Sequence, residues 1–90
     1  MEIILLEQAR KDIAYWKKTG NKTVMNKISA LLRDIAEHPY TGIGKPEPLK
    51  YELSGKWSRR INSEHRIIYS VHENTTFVYI FSMRYHYPGI

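Results

Sequence analysis

Hydrophobic and polar positions follow three different patterns along the chain, and each predicts its own kind of element. Residues 3–6 form a short apolar run, which is typical of a buried strand. Over residues 7–37 apolar side chains return every three or four positions, the spacing of helices that bury one face. Gly20 and Asn21 interrupt this spacing, and Pro39 disfavours helix just before it. We therefore predict an αα-hairpin over residues 7–37.

The second half of the chain begins with a loop and continues with the alternation of strands. The segment PYTGIGKPEPLK, residues 39–50, contains three prolines and two glycines, which oppose regular structure. Beyond it apolar and polar residues alternate with a period of two, and short polar turns separate the runs. The predicted strands cover residues 56–63, 66–73 and 75–83, with a further short strand as an option at residues 49–53.

This order of elements, β-α-α-β-β-β, indicates one α+β domain over residues 1–90. The predicted architecture is a helical hairpin packed on one face of a mostly antiparallel β-sheet. Odd-numbered residues of the last two strands are the more apolar ones, so we expect the helices to cover that face. In the last strand this prediction buries Phe77, Tyr79, Phe81 and Met83. The open, even-numbered face is expected to carry Arg66, Ser82, Arg84 and His86.

The net charge of the chain indicates which classes of binding partner to expect. The chain has 14 Lys and Arg against 9 Asp and Glu, a net charge of +5. This balance is typical of a small domain that meets nucleic acid, an acidic protein or a membrane surface. Cysteine is absent, which excludes disulfides and Cys-ligated metals. No apolar run approaches the roughly 20 residues of a membrane span, and no signal peptide is predicted. We expect a cytoplasmic protein without a membrane partner.

Histidine is the side chain best suited to move a proton near neutral pH, and the chain has four. His38 follows a predicted helix, and His65 and His72 stand beside predicted turns, where solvent exposure is the default. No pair has the spacing of a helical zinc motif, so neither a metal nor a cofactor is expected. His86 differs because it continues a strand on its polar face. It is either a catalytic residue or an ordinary solvent-exposed side chain.

Glu47 is a second candidate for acid–base chemistry. It stands between Pro46 and Pro48, which restrict its backbone and hold its carboxylate in one direction. Lys45 and Lys50 flank it. The residue is either an ordinary exposed acid of a turn or a proton acceptor beside bound phosphate.

Three arginines form the last candidate group. Arg59 and Arg60 face opposite sides of one strand, so they cannot both touch one ligand, and Arg66 lies on the next strand. A guanidinium grips phosphate through two parallel hydrogen bonds and opposes negative charge in a transition state. Solvated or salt-bridged arginines are the alternative. A base, an acid and a phosphate-binding cation are the parts needed to cleave RNA through its 2′-hydroxyl.

The stretch GKPEPLKYELSGKWSRRINSEHRIIYSV, residues 44–71, followed by RYHY at 84–87, resembles the YoeB (Txe) branch of the RelE/ParE toxin superfamily. The amino-terminal half is similar in pattern, with a short strand, a helical hairpin and the aromatic pair Tyr15 and Trp16. The resemblance implies a RelE-like fold and a toxin of a bacterial type II toxin–antitoxin pair. Such toxins cut messenger RNA in the ribosomal A site.

By matching position, the resemblance implies two sets of functional residues. The catalytic set is Glu47 as general base, His86 as general acid, Arg66 as the group that stabilises the phosphorane, and Tyr87 as a contact of the nucleotide at the cut. The set expected to bind RNA or support the site is Lys45, Lys50, Arg59 and Arg84.

The resemblance also implies partners. These are messenger RNA, the 70S ribosome with its 16S rRNA, an antitoxin of the Phd/YefM type with an acidic disordered tail, and a second copy of the toxin. One departure from the family pattern is that residues 88–90 follow the His-Tyr pair. Two other functions stay open: a non-catalytic protein that blocks a ribosomal or nucleic-acid site, and a ParE-like poison of DNA gyrase.

Overall fold

A computed structural model describes residues 1–85 of the chain. Its elements are β1 (Glu2–Leu5), α1 (Glu7–Thr19), α2 (Lys22–Glu37), β2 (Glu47–Pro48), β3 (Trp57–Arg60), β4 (Arg66–His72) and β5 (Phe77–Ser82). The predicted helical hairpin and the three later strands are confirmed. The optional strand at 49–53 is wrong, because a 3₁₀ helix occupies Tyr51–Leu53 and the extra strand, β2, comes earlier.

The five strands form one sheet in the order β1-β5-β4-β3-β2. β1 runs parallel to β5, and every other pair is antiparallel. Both helices contribute to a hydrophobic core against one face of this sheet. The α+β class and the mostly antiparallel sheet are therefore confirmed. Within residues 1–85, neither helix is long and apolar enough to cross a membrane.

Local sequence explains where the helical hairpin turns. Gly20 ends α1 in the left-handed region, with φ of 68°, and its N–H donates to the carbonyl of Lys17 at 3.2 Å. The side chain of Asn21 then caps α2 by accepting from the N–H of Val24 at 3.1 Å. The apolar stripe of α2 is buried as its spacing predicts; it comprises Val24, Ile28, Leu31 and Ile35.

The face assignment is right for β4 and wrong for most of β5. Ile67 and Tyr69 of β4 are fully buried in the core, as predicted. On β5 the core residues are the even-numbered Val78 and Ile80, whereas the odd-numbered residues of that strand are half-buried. The cause is the β4–β5 hairpin, whose register places Tyr69 opposite Ile80, so the apolar odd face of β4 meets the even face of β5.

A bulge near the end of β5 changes again whether odd-numbered or even-numbered residues face the helices. Tyr69 pairs with Ile80, but Ile68 pairs with Ser82, so one residue of β5, Phe81, has no direct partner. Beyond the bulge Met83 returns to the core and is fully buried, as predicted. The bulge also places Ser82 on the face opposite the helices.

Candidate active site

A row of cross-strand partners crosses the sheet face opposite the helices. The row comprises Glu47 of β2, Ser58 of β3, Ile68 of β4 and Ser82 of β5. Direct cross-strand partners project to the same face. Two residues further along β3 and β4, Arg60 pairs with Arg66, so these two side chains share that face. The sheet thus places one carboxylate and two guanidinium groups together.

The guanidinium group of Arg66 is anchored by the protein, and the charge of Glu47 acts on it. Its Nη1 donates to the carbonyl of Asn62 at 2.6 Å and to that of His65 at 3.2 Å, in the turn between β3 and β4. Burial and the charge of Arg60 lower the pKa of Arg66 below its ordinary value, and Glu47 acts to raise it. An arginine keeps its charge at neutral pH despite such a shift. Glu47 therefore lies within electrostatic reach of a fixed cation.

Glu47 reaches the sheet face opposite the helices from a very short strand. β2 has two residue pairs with β3, Glu47 with Ser58 and Pro48 with Trp57. Glu47 is exposed, as are Lys45 and Lys50 on either side of it. The predicted acid with two neighbouring lysines is thus accessible to a large ligand.

Arg59 was expected to bind RNA or support the site. It is buried, so it cannot contact RNA. Its side chain points toward the helices and is 0% exposed. All five N–H donors are hydrogen bonded within the protein, and the acceptors are Asp34 Oδ2, the hydroxyl of Tyr69 and the carbonyls of His38, Thr41 and Ile43. The expectation that Arg59 supports the site is compatible with this position.

Arg84 also departs from its expected place on the open face. Its guanidinium carbon lies 3.4 Å from the centre of the Tyr15 ring on α1 and 4.8 Å from that of Tyr85. Its Nη2 donates to the Tyr85 hydroxyl at 3.1 Å. The bulge in β5 and the turn after it therefore direct Arg84 against α1 through cation–π contacts rather than beside Arg66.

The backbone of Met83 and Tyr85 is held by three side chains. Asp12 Oδ2 accepts from the Met83 N–H at 2.9 Å, and Trp16 Nε1 donates to the Met83 carbonyl at 2.9 Å. His65 Nδ1 accepts from the Tyr85 N–H at 2.8 Å. We call these three side chains the C-terminal clamp. They fix the chain immediately before His86 and Tyr87, which lie outside the described residues.

Two residues of this region were considered from the sequence, but neither was assigned to the site. Arg60 shares a face with Arg66 and Glu47, a position that follows from strand alternation once the pairing of β2 with β3 is known. His65 was expected in solvent, but it is 7% exposed and its ring packs edge-on against Trp16 with centroids 4.8 Å apart. Nothing in its local sequence distinguishes it from an ordinary turn residue.

The geometry favours chemistry on a phosphate ester. Two guanidinium groups beside a carboxylate can bind a phosphodiester and leave the carboxylate free to take a proton. Among residues 1–85 no group of three or more His, Asp and Glu side chains is placed to hold a metal ion.

Comparison with known proteins places the chain among bacterial toxins. A family profile described as "YoeB-like toxin of bacterial type II toxin-antitoxin system" matches residues 5–87. The toxin YoeB of Escherichia coli strain K12 is 45% identical over 87 residues, which are 97% of this chain and 100% of that protein.

Solved structures agree. A YoeB/ParE toxin from Agrobacterium tumefaciens superposes with a TM-score of 0.91 at 36% identity, covering 97% of this chain and 100% of the other. A YoeB–YefM complex and a YoeB dimer, both from Staphylococcus aureus, each match with a TM-score of 0.84 at 42% identity, covering 97% and 98% of the two chains.

Proposed function

The chain belongs to the YoeB-like toxins of bacterial type II toxin–antitoxin systems, and from this premise we propose that it is an endoribonuclease that cuts messenger RNA in the ribosomal A site. The observation that carries this proposal is the shared face of Glu47, Arg60 and Arg66. A base beside two phosphate-binding cations is the arrangement that cleavage through a 2′-hydroxyl requires.

In the proposed reaction, Glu47 takes the proton of the ribose 2′-hydroxyl. The 2′-oxygen bonds to the adjacent phosphorus, and the bond from phosphorus to the 5′-oxygen of the next nucleotide breaks. Arg66 stabilises the negatively charged phosphorane, with its Nη1 held by the β3–β4 turn. A 2′-deoxy substitution at the cut removes the nucleophile, so DNA is inert.

The proposal gives the leaving-group proton to His86, which protonates the departing 5′-oxygen, and gives Tyr87 the role of holding the nucleotide at the cut. Both residues lie outside the described part of the chain. The C-terminal clamp supports these roles, because it fixes Met83 and Tyr85 just before them. Holding reacting groups in one geometry supplies much of the rate enhancement of acid–base catalysis.

The proposed RNA contacts differ in one respect from those expected from sequence. Lys45 and Lys50 remain, since both are exposed beside Glu47. Arg60 takes the place of Arg59, because it is exposed and lies on the sheet face opposite the helices. Arg84 supports the site by its contacts with Tyr15 and Tyr85.

The proposal includes partners that relatives display. The solved YoeB from Staphylococcus aureus occurs in a complex with YefM and as a dimer. We assign this chain an antitoxin of the same type, whose acidic tail is attracted by a net charge of +5, and a homodimeric state. Its work on the 70S ribosome places it in the cytoplasm.

The test is messenger cleavage on programmed ribosomes, with the new RNA 5′ ends mapped. Glu47→Ala and His86→Ala are each expected to lower the cleavage rate by about a hundredfold or more, the usual range for proton-transfer groups. Arg66→Ala should also lower it strongly. Glu52→Ala, which removes an exposed acid of the 3₁₀ helix, is the matched control and should cut like wild type.

Three results would contradict the proposal in different ways. Cleavage by all three variants at the wild-type rate would reject the mechanism. Translational arrest without new 5′ ends would identify a non-catalytic ribosome-binding inhibitor. Inhibition of DNA gyrase with unaffected translation extracts would identify a gyrase poison.

A further inference from the structure

The loop between α2 and β2, residues 38–46, contains no regular element and leads directly to Glu47. A partly buried ion pair lies beneath it. Arg59 of β3 and Asp34 of α2 bond through Nη1 and Oδ2, and the arginine side chain is 0% and the aspartate side chain 21% exposed. We call this the Arg59–Asp34 pair.

Most hydrogen bonds of this pair go to the loop rather than to the elements that carry it. Arg59 donates to the carbonyl of Ile43 at 3.0 Å, to that of Thr41 at 2.9 Å and to that of His38. Asp34 Oδ2 accepts from the N–H of Ile43 at 3.1 Å. The pair thus fixes the loop backbone at three positions.

Tyr69 of β4 extends the same network. Its hydroxyl accepts from Arg59 Nε at 3.1 Å and donates to the carbonyl of Pro39 at 2.8 Å. Burial raises the pKa of Tyr69 above its ordinary 10.0, so the hydroxyl stays protonated and can make both bonds. Three elements, α2, β3 and β4, therefore converge on one loop.

The path from this loop to Glu47 is short, and beyond β2 the N–H of Leu49 donates to the carbonyl of Lys56 at 2.9 Å. The carbonyl of Gly44 accepts from the N–H of Arg60 at 2.7 Å, and Lys45 follows with a φ of 52°. β2 then contributes two residue pairs. A strand of two residues makes few hydrogen bonds of its own, so the anchored loop before it contributes to the direction in which Glu47 projects.

We propose that Arg59 and Asp34 are positioning residues, which hold the loop 38–46 so that Glu47 presents its carboxylate beside Arg66. The inference rests on the proposed function, in which Glu47 is the general base. It assigns to Arg59 a role on the covered face of the sheet, where it touches no RNA. A lysine at position 59 would keep the positive charge but would not hold the loop. One ammonium group cannot reach acceptors on several sides as a planar guanidinium does.

The test uses Asp34→Asn, which keeps the size of the side chain and removes its charge. Single-turnover cleavage on programmed ribosomes gives the maximal rate and the toxin concentration at half-maximal rate. We expect the maximal rate to fall about tenfold to a hundredfold, because displacing a reacting group by about 1 Å has an effect of that order. The half-maximal concentration should change less than about threefold, since the RNA-binding side chains are untouched.

Two further variants make the result specific. Glu37→Gln removes an exposed acid from the same helix and should behave like wild type. Tyr69→Phe removes one hydroxyl from the network. It should also lower the maximal cleavage rate, but by a smaller factor than Asp34→Asn does. It also provides a folded alternative with a loosened loop if Asp34→Asn melts below the assay temperature.

The decisive comparison is made in a Glu47→Gln background. A positioning effect acts through Glu47, so adding Asp34→Asn to Glu47→Gln should lower the residual rate less than about twofold. An equal fold-loss in both backgrounds, or a wild-type rate for Asp34→Asn alone, would overturn the inference.

Hydrogen exchange of the amides of Ile43, Gly44, Lys45 and Glu47 separates this inference from the proposed function. We expect faster exchange there in Asp34→Asn, with β4 and β5 unchanged. If Glu47→Gln cuts like wild type, the base assignment fails, and the exchange result then decides on the loop alone. Unchanged exchange at these amides would reject the Arg59–Asp34 pair as the element that holds the loop.

Discussion

Arg59 and Arg60 are neighbours in β3, and their side chains leave the sheet on opposite faces. Arg59 pairs with Ile67 on the helix side and is 0% exposed, whereas Arg60 pairs with Arg66 on the opposite side and is exposed. Two chemically identical residues one position apart therefore have different tasks. One holds the loop before Glu47, and the other lies beside the proposed phosphate site.

Substitution of Arg60 should mainly affect the cleavage rate, whereas substitution of Arg59 should mainly affect the stability of the fold. Arg60→Ala is expected to lower the cleavage rate about tenfold or more with little change in the melting temperature, because an exposed side chain contributes little to stability. Arg59→Ala should lower the free energy of unfolding by about 3–5 kcal/mol, because it removes a fully buried guanidinium and leaves its carboxylate and carbonyl partners without donors. Thermal unfolding followed by circular dichroism, together with the ribosome assay, measures both. The reverse order of melting temperatures would contradict the two assignments.

The fold was predictable because its local signals agree with one another. The turn at Gly20 and Asn21, the apolar stripe of α2 and the alternation in β4 each indicate the element that forms. The face of β5 was not predictable in the same way. It depends on the register with β4 and on the bulge between the pairs Tyr69–Ile80 and Ile68–Ser82, and neither has a signal in the local sequence.

The residues of the candidate site could be proposed from the sequence, whereas their relative positions could be predicted only in part. Glu47 and Arg66 follow from the motif and meet on one face. Strand alternation shows that Arg59 and Arg60 diverge, but it does not show which of them the helices cover. His65 is buried through its contacts with Trp16 and Tyr85, which are distant in sequence. Such tertiary contacts override the preference of a turn residue for solvent.

Asp34 should make stability sensitive to acid. The hydrogen bond from Arg59 is the main cause that lowers the pKa of Asp34 below its ordinary 3.8. A carboxylate with a lowered pKa stabilises the folded state at pH values above the unfolded pKa, and the contribution is lost as the pH falls through the folded pKa. Between about pH 5 and about pH 2, the free energy of unfolding should therefore fall more for wild type than for Asp34→Asn. Urea unfolding at a series of pH values measures this, with Glu37→Gln as a control that keeps the wild-type slope.

Binding should weaken steeply with salt if phosphate contacts dominate. We expect the logarithm of affinity for ribosomes carrying a messenger with a 2′-deoxy cut site to fall linearly with the logarithm of salt concentration. Arg60→Gln should reduce this slope by about one, the effect of losing one phosphate contact. Lys11→Gln on α1, whose side chain pairs with Glu7 at 3.3 Å, is the control for a change in net charge. A flat salt dependence for wild type would rule out a phosphate-dominated interface.

The C-terminal clamp predicts an effect of Trp16 on catalysis. Trp16→Phe keeps an aromatic ring and removes the N–H that donates to the carbonyl of Met83. The buried carbonyl then lacks this partner, which should lower the free energy of unfolding by about 1–3 kcal/mol. We also expect slower cleavage in the folded variant, because the chain before His86 is less firmly held. Tyr15→Phe, which keeps the ring beneath Arg84, is the neighbouring control and should leave both quantities unchanged. A wild-type cleavage rate for folded Trp16→Phe would show that the C-terminal clamp does not contribute to catalysis.

Gly42 offers a direct measure of how closely the loop before Glu47 lies against Asp34. A Cβ added at Gly42 would fall 1.9 Å from Asp34 Oδ2, and the residue has φ of 122°. Gly55 has φ of 91° with nothing within 4 Å of its added Cβ, so Gly55→Ala measures the backbone strain without a clash. Because strain of this kind costs about 1 kcal/mol or more, Gly42→Ala should be more destabilising than Gly55→Ala by the additional cost of displacing the carboxylate. In an Asp34→Ala background the obstacle is gone, and the two glycine substitutions should then cost about the same. Equal costs in the wild-type background would mean that the loop can move away from Asp34 freely, which contradicts the Arg59–Asp34 pair as its anchor.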